Sequence, residues 1–579
     1  MKNTHFILLL LSIILSIFSS CSNLDTEASN ESNSAAELVG FESISPDKSG
    51  IEFINKFDMN LMKSPLEYVN AYNGGGIAIA DFNNDGLEDV YFTGNIVSNR
   101  FYLNKGDFKF EDITKKSGLE CYGEWCTGVT VVDVNQDGYL DIYVSKSYHD
   151  DKEKRRNSLF INNKDLTFTD KAKEYGIDLA SHTIQSAFLD ADNDGDLDLY
   201  IGNTPKKRTG VKPGTHEKYF RNPLMEWSDR FFINNGNGKF IDKTKEAGFF
   251  NYGWMLGVSI ADYNEDGYQD IFVAVDHSEP DLLMINNHDG TFTNQIDTKM
   301  KHISASSMGT DAFDLNNDTH IDIVSLDMLS VDNYKEKTQM GSMNPELFWN
   351  KVRSGYHYQY MRNMMQLNIG NGQFSEVGQL ANIHRTDWSW AALGGDFDNN
   401  GYNDIFITNG YYRSILDKDL TKSYNKSIEK AEGNFEEQLR LSKEYHKNLK
   451  EQKSKNVLYM NKGALEFELR EDIKAVSHLG FSSGAAYADL DNDGDLDLVV
   501  NNIDEPATLL RNLQSEQSKN NYLTVKFASK NNVPVTGTKV ILHLKDSQMK
   551  KEFTYSRGCL LYTSPSPRDA TLSRMPSSA

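Results

Sequence analysis

The chain has 579 residues, and 83 acidic side chains against 60 basic ones give it a formal net charge of −23 at pH 7. Such acidity argues against nucleic acid as a partner, because phosphate binding needs a basic surface. The histidines and the four cysteines show no metal-ligand spacing, which argues against a zinc site.

The N-terminal segment is typical of an exported protein. After Lys2, the apolar run from Phe6 to Phe18 is too short for a transmembrane helix and predicts a secretory signal. Two serines before Cys21 resemble a bacterial lipobox, although a phenylalanine stands where leucine is usual. We therefore expect a lipoprotein signal peptide over 1–20 with Cys21 lipidated; a plain signal peptide is the alternative.

Residues 21–38 form a polar, acidic stretch that predicts a flexible tether. This tether resembles those of surface-exported lipoproteins of the Bacteroidetes type. The resemblance implies an outer-membrane lipoprotein, with the periplasmic or the outer face left open. Contact with the membrane would be through the lipid anchor alone.

Seven acidic loops of the form Asp-x-(Asp/Asn)-x-(Asp/Asn)-Gly-x-x-Asp follow, at intervals of 52 to 93 residues. Calcium takes six to eight hard oxygen ligands, which alternate residues of such a loop supply, and glycine at the sixth position permits the sharp turn. The predicted calcium ligands are Asp81, Asn83, Asp85, Asp89, Asp133, Asn135, Asp137, Asp141, Asp190, Asp192, Asp194, Asp198, Asp262, Asn264, Asp266, Asp270, Asp314, Asn316, Asp318, Asp322, Asp396, Asp398, Asn400, Asp404, Asp489, Asp491, Asp493 and Asp497.

One such loop could be a metal-free turn, because Asp, Asn and Gly dominate turns. Seven copies favour calcium, since the clustered carboxylates would repel one another without a cation. We expect up to seven Ca²⁺ ions. The loop that begins at Asp314 is the weakest, because Thr319 replaces the glycine.

Short β-prone runs flank each loop, so each loop is expected to join two strands. The glutamate that closes an EF-hand at the twelfth position is missing. A second signal, apolar-x-Asn followed by a turn and Phe, recurs after the loops and predicts a hairpin. Four strands per unit, repeated seven times, favour radial closure into a β-propeller.

These loops and hairpins resemble the FG-GAP/VCBS repeat family of integrin-type propellers. The resemblance covers roughly residues 70 to 515 and implies an all-β fold: a seven-bladed β-propeller over 39–515, with a calcium loop between the first two strands of each blade. Residues 36–73 are expected to contribute a lead-in strand that closes the ring.

Three long spacings predict insertions at 203–229, 327–364 and 411–456, the last partly helical. They are either solvated decoration or a functional rim over one face of the propeller.

Cys121 and Cys126 are separated by only four residues, so in an oxidising compartment we expect a small disulfide loop. Two free thiols are the alternative.

An aromatic position recurs eight residues before each loop. The residues there are Asn73, Trp125, His182, Trp254, Ser306, Trp388 and Phe481. In a propeller this position enters the innermost strand near the central channel, where aromatic faces could stack on sugar rings. Packing between blades is the alternative. We take Trp125, His182, Trp254, Trp388 and Phe481, with the nearby Arg385, as candidate ligand-binding residues.

The C-terminal part contains alternating apolar strands at 516–558, which resemble the start of an ASPIC/UnbV domain and imply a truncated β domain. Residues 559–579 look like a translated sequencing-library adapter; a natural Ser/Pro-rich tail is the alternative.

The sequence contains no nucleophile elbow, P-loop or HExxH motif, so a catalytic role is the less favoured one. We expect a calcium-binding, envelope-anchored propeller that acts as a binding or adhesion module for a glycan or a partner protein. One alternative is a calcium-dependent polysaccharide lyase or hydrolase that uses the central propeller face, with groups such as His182, Arg385 or Tyr360. The other is a passive accessory subunit of an outer-membrane uptake complex.

Overall fold

Seven four-stranded antiparallel sheets form the blades of a propeller in the computed structural model. The structure describes residues 40–57, 68–205, 223–277, 279–339, 344–414, 417–518, 520, 522–525, 536–544, 548–555 and 570–573. The predicted signal peptide, Cys21 and the tether lie outside the described residues. No helix of the described chain has the length and hydrophobicity needed to cross a bilayer.

The blades follow one another along the chain, and within blades 1 to 6 the strands run in order from the innermost to the outermost. Blade 1 is Ile77–Ala80, Asp89–Phe92, Arg100–Asn104 and Phe110–Asp112, and blade 2 is Cys126–Val132, Asp141–Lys146, Ser158–Asn162 and Phe168–Asp170. Blade 3 is Thr183–Leu189, Asp198–Asn203, Arg230–Asn234 and Phe240–Asp242, and blade 4 is Trp254–Ala261, Asp270–Asp276, Leu282–Asn286 and Phe292–Asn294. Blade 5 is Thr310–Phe313, Asp322–Ser325, Met364–Asn368 and Phe374–Glu376, and blade 6 is Ser389–Gly395, Asp404–Asn409, Val457–Asn461 and Phe467–Leu469.

Blade 7 joins the two ends of the propeller. Its three inner strands are Ser482–Ala488, Asp497–Asn502 and Thr508–Asn512, and its outer strand is the first strand of the chain, Phe41–Ile44. Phe41 pairs with Asn512 in an antiparallel register. The predicted lead-in strand is therefore confirmed. It closes the ring with backbone hydrogen bonds, so the strand Thr508–Asn512 is paired on both of its edges.

The innermost strands pack against one another around the ring, including those of blades 1 and 7. They are buried along their whole length in blades 2, 3 and 4, and they carry apolar side chains on both faces. A glycine recurs in this region because the backbones of neighbouring blades approach each other closely there. A Cβ atom on Gly309 would lie 1.9 Å from the carbonyl oxygen of Trp390 in the next blade.

Antiparallel connectivity gives the propeller two different faces. The acidic loops join the first strand of a blade to the second, so all seven lie on one face, which we call the loop face. The connections from second to third strand lie at the opposite ends of the strands. The predicted insertions at 203–229, 327–364 and 411–456 are such connections in blades 3, 5 and 6. We call this opposite face the insertion face.

The helices are short and lie outside the sheets. The α-helices are Pro46–Ser49, Thr114–Ser117, Ala172–Tyr175, Ile296–Lys299, Asn333–Gln339, Pro345–Arg353, Lys418–Lys430, Phe435–Asn448 and Gln514–Gln517, and the 3₁₀ helices are Val69–Tyr72 and Glu153–Arg155. Two short strand pairs, Ile303–Ser304 with Gln359–Tyr360 and Ser454–Lys455 with Leu479–Gly480, brace the insertions of blades 5 and 6.

Two further strand pairs follow the propeller. Lys539–His543 pairs with Gln548–Glu552 as a hairpin, and Tyr522–Val525 pairs with Ala570–Ser573. The assignment of 516–558 to an ASPIC/UnbV domain and of 559–579 to an adapter remains a prediction.

Candidate calcium loops and binding face

The loop of blade 3 shows how the repeated motif folds. Asp190, at the first position, accepts a hydrogen bond of 3.0 Å from the backbone N–H of Gly195. Asp198, at the ninth position, accepts one of 3.0 Å from the N–H of Ala191 and one of 2.8 Å from the N–H of Asn234. Gly195 has a φ of +91°, which glycine adopts without strain. The two end carboxylates thus hold the loop closed around its middle residues.

The same arrangement recurs in every blade. The first aspartate accepts from the backbone N–H of the sixth residue in all seven loops. The ninth aspartate accepts from the N–H of the second residue. At the sixth position of blade 5, Thr319 adopts a φ of +74°, a strained value for a β-branched residue. Weaker calcium binding at this loop remains a prediction.

The carboxylates of a loop come close enough to share one cation. Ligand atoms lie within 4.8 Å of one another in three groups: Asp190, Asp192 and Asp194; Asp396, Asp398 and Asp404; and Asp489, Asp491 and Asp493. Such oxygen-only sets fit a hard divalent ion. The structure therefore brings together three of the four predicted ligands of each of these loops.

Burial and mutual repulsion make two of the loop carboxylates, Asp198 and Asp489, costly to ionise on their own. Burial, with the charges of Asp192 and Asp190 adding to it, raises the pKa of Asp198 to about 8. Burial likewise raises the pKa of Asp489 to about 7, with Asp493 and Asp491 adding. A bound cation would offset this repulsion and favour the ionised forms.

Recurring asparagines tie neighbouring loops together. An asparagine ends the third strand of each of these blades, and its side-chain amide donates two hydrogen bonds. One goes to the carbonyl of the eighth residue in the loop of the same blade. The other goes to the carbonyl of the second residue in the loop of the preceding blade. The residues that make both bonds are Asn104, Asn162, Asn286, Asn368, Asn461 and Asn512. The apolar-x-Asn signal in the sequence marks these residues, but not their partners.

A second link joins the same loops nearer the surface. The fourth residue of a loop donates from its side-chain amide to the sixth-position carbonyl of the next loop. The donors are Asn84, Gln136, Asn193, Asn317, Asn399 and Asn492. In blade 4 the fourth residue is Glu265, and Lys550 of the C-terminal hairpin donates to the Thr319 carbonyl instead, at 2.7 Å.

The aromatic residues predicted to form a ligand surface are buried. Trp125 and Trp254 are each 1% exposed, and Trp388 and Phe481 are also inside. Tyr68, next to the short helix Val69–Tyr72, packs edge-on to Trp125. These side chains fill the core on the insertion side, as expected if the recurring position serves packing. Their role in ligand binding remains a prediction.

The remaining predicted ligand residues lie nearer the insertion face. His182 lines a cavity of about 870 Å³ between blades 2 and 3, together with Trp227 and Arg155. Arg385 lies 3.8 Å from Glu336 of the blade 5 insertion, and its side chain is about one-third exposed. Residues 206–222 of the blade 3 insertion lie outside the described residues.

The blade 5 insertion carries a group of exposed aromatic side chains on the insertion face. Trp349 is 48% exposed, Tyr358 45% and Tyr360 40%. Phe348 packs against all three, with ring centroids 5.2 to 6.3 Å apart. We call Phe348, Trp349, Tyr358 and Tyr360 the aromatic patch. The sequence shows aromatic residues in this insertion, but not that they remain exposed together.

Cys121 and Cys126 are free thiols in the structure, so the predicted disulfide is not formed there. Their sulfur atoms and the Glu124 carboxylate lie within 4.8 Å of one another. The separation is short enough that formation of the bond under oxidising conditions stays a prediction.

Comparison with known proteins supports the repeat assignment. A model of the FG-GAP-like repeat matches residues 73–144, 224–273 and 262–325. Cartilage acidic protein 1 of Xenopus tropicalis is 26% identical over 211 residues, which are 36% of this chain and 29% of that protein. Integrin alpha-8 of Gallus gallus is 29% identical over 170 residues, which are 26% of this chain and 16% of that protein. The chain thus spans less than a third of the length of these curated relatives.

Among solved structures, a lectin of Agrocybe aegerita, described as specifically recognising non-reducing terminal N-acetylglucosamine, aligns with 75% of this chain and 86% of its own. The TM-score is 0.38 and the identity 14%. The seven closed blades and the matched segments show that the chain is an all-β, seven-bladed β-propeller that contains FG-GAP-like repeats.

Proposed function

We propose that the protein is a calcium-stabilised binding module, held at the cell envelope, that recognises a glycan on its insertion face. The observation that carries this is the division of the propeller into two faces. Seven acidic loops occupy one face, and the long insertions occupy the other. An FG-GAP propeller suggests a binding or adhesion-type module, and integrin-like FG-GAP repeats commonly bind calcium.

Calcium would supply positive charge at the seven loops and thereby fix their conformation. The residues that would hold it are the aspartates and asparagines at the first, third, fifth and ninth positions. Because side-chain amides of asparagine and glutamine join each loop to its neighbour, order in one loop supports order in the next. A bound glycan would then meet a preorganised face at the far ends of the same strands.

The aromatic patch supports a glycan as the ligand. Flat aromatic faces such as Trp349 and Tyr360 supply the large apolar contact area on which sugar rings stack. The guanidinium of Arg362 lies 5.2 Å from the Tyr360 ring. Its Nη2 already pairs with Glu376 at 3.1 Å, so its other nitrogen atoms are the ones that could contact sugar hydroxyls or carboxylates. In the cavity near His182, Arg155 and Arg156 offer further donors. Anionic polysaccharides are therefore the first ligands to try.

Anchoring at the envelope rests on the lipobox-like segment before Cys21. It would keep the binding module at the membrane while the tether over 21–38 gives it reach. An outer-membrane location is part of the proposal. Mass spectrometry of the mature N-terminus, expected to show an acylated Cys21, tests it.

The test of glycan recognition is a binding panel of polysaccharides, run on the full chain in calcium and in chelator with detection of cleavage products. We expect calcium-dependent retention without products. Trp349→Ala should abolish retention. Ile369→Ala is the matched control, because Ile369 is 62% exposed but lies in a turn on the loop face.

Other results of the panel would redirect the proposal. Cleavage products would make the protein an enzyme. No retention of any glycan by a folded, calcium-loaded sample, with membrane proteins co-purifying from cells, would favour an accessory subunit. Retention that Trp349→Ala leaves intact would move the site away from the aromatic patch.

A further inference from the structure

The C-terminal hairpin, Lys539–His543 with Gln548–Glu552, lies against the acidic loops. The ammonium of Lys539 donates a hydrogen bond to the carboxylate of Asp262, the first ligand position in blade 4. Its partner strand places the Glu552 carboxylate against the backbone N–H of Asp262 at 3.2 Å. The side chain of Asp262 is only 2% exposed.

Lys539 contacts a first-position carboxylate, unlike Lys164 and His288 at other positions of the loop face. Lys164 and His288 approach fifth-position carboxylates instead: Lys164 lies 3.3 Å from Asp137, and His288 lies 2.7 Å from Asp266. The first-position Asp262 is buried, as is Asp270 at the ninth position of the same loop. Lys539 therefore adds a positive charge at the place where a calcium ion would be held.

Lys550, from the same hairpin, completes the ring of links between loops. In six blades a neutral side-chain amide at the fourth position makes the link to the next loop. Glu265 has no proton to donate when ionised, and its carboxylate lies 3.4 Å from the Lys550 ammonium instead. The Lys550 side chain is only 4% exposed and also donates to the Thr319 carbonyl. Blade 4 therefore has a glutamate where the other six loops have an amide side chain, and Lys550 of the hairpin makes the link to the next loop in its place.

Further contacts spread the hairpin over several blades. Lys551 donates to the Asn403 side chain in the loop of blade 6, at 2.6 Å. Phe553 and Tyr555 are buried in one apolar cluster with Val134 and Leu197, which belong to the loops of blades 2 and 3. The hairpin and the residues after it therefore reach the loops of five consecutive blades.

We propose that the C-terminal hairpin is a built-in ligand of the loop face, in which the Lys539 ammonium takes the place of calcium at the loop of blade 4. The inference rests on the proposed calcium loading of the other loops. Two positive charges at one carboxylate cluster repel each other, so calcium at this loop and docking of the hairpin oppose each other. By linkage, each weakens the other by the same factor.

The test is a calcium titration of the full chain by calorimetry, compared between wild type and Lys539→Met. We expect wild type to bind one calcium ion about 5–150-fold more weakly than Lys539→Met does, the usual range of such coupling. Lys539→Arg keeps a cation at Asp262 and should behave like wild type. Lys164→Met removes a lysine from another loop's carboxylate and should not add a site.

Hydrogen exchange of residues 539–552 provides the second readout. We expect fast exchange in Lys539→Met and in wild type at saturating calcium, against slow exchange in calcium-free wild type. Two results would overturn this inference but leave the proposed function standing. One is identical calcium binding by wild type and Lys539→Met, and the other is hydrogen exchange in the hairpin that calcium leaves unchanged. Absence of calcium binding in both proteins would overturn the proposed function as well.

Discussion

The side-chain amide of Asn286 in blade 4 donates a hydrogen bond of 2.7 Å to the carbonyl oxygen of Ala191 in the loop of blade 3. The same amide donates at 3.2 Å to the carbonyl of Gln269 in its own loop. One buried side chain therefore satisfies carbonyl groups of two acidic loops. Repetition of this bond around the propeller makes the loop face one connected structure.

Asn286→Ala should destabilise the protein by roughly 2–4 kcal/mol, because two carbonyl groups inside the protein lose their donor and each costs about 1–3 kcal/mol. Denaturant unfolding measures the change. Asn287→Ala is the matched control, since Asn287 is exposed and bonds only to nearby side chains of its own turn among the described contacts. Equal effects of the two substitutions would contradict the role of Asn286 as a link between loops.

Thr319→Gly should stabilise the protein by roughly 1 kcal/mol, because glycine adopts the positive φ of this position without the steric cost that a β-branched residue carries. The reverse change, Gly267→Thr, introduces the same strain at φ +90° and should destabilise blade 4 by a similar amount. Thermal unfolding of both variants checks the pair. A lower melting temperature for Thr319→Gly would show that the threonine side chain makes a compensating contribution.

Trp254→Ala should cost about 3–5 kcal/mol of folding free energy, because it empties a fully buried site. Trp349→Ala should change stability by less than about 0.5 kcal/mol, since the side chain is half exposed, while it removes glycan retention. Melting temperatures and the binding panel together separate the core aromatics from the aromatic patch. A Trp254→Ala protein that melts like wild type but binds no glycan would restore the central aromatics as the ligand surface.

Calcium-free protein should lose stability as pH rises from about 4 to about 8. The folded-state pKa of Asp198 is raised to about 8 and that of Asp489 to about 7, both mainly by burial. Between the ordinary aspartate pKa and these values the folded state binds protons that the unfolded state has released, so the free energy of unfolding falls with pH. Saturating calcium should remove this trend, because the ion takes the place of the protons. Melting temperatures of calcium-free protein that rise over this range would contradict it.

Much of the fold follows from local signals in the sequence. The spacing of acidic residues within each loop predicts the turn, because glycine and alternating oxygens have only a few ways to close it, and the repeat predicts radial closure. Pairing of Phe41–Ile44 with blade 7 was also predictable, since a closed propeller needs a last strand.

The candidate sites were harder to predict, because they depend on contacts between distant parts of the chain. Trp125 has the sequence position of a channel-lining residue, but Tyr68 and Tyr148 pack over it. Lys550 meets Glu265 across 285 positions of sequence, and neither residue marks the other locally. Exposure of Trp349 depends on how the blade 5 insertion folds, which no periodic pattern encodes.

Thermal unfolding of the full chain with calcium and with chelator, alongside a count of bound calcium, tests the central claim most directly. At about 1 mM calcium, sites with dissociation constants near 10⁻⁴ to 10⁻³ M each add roughly 0.4–1.4 kcal/mol, and several such sites rival the net stability of a domain. We predict several bound ions and a sharply lower melting temperature in chelator. A protein that binds no calcium, or that melts at the same temperature in both conditions, would contradict the account of the acidic loops as calcium sites.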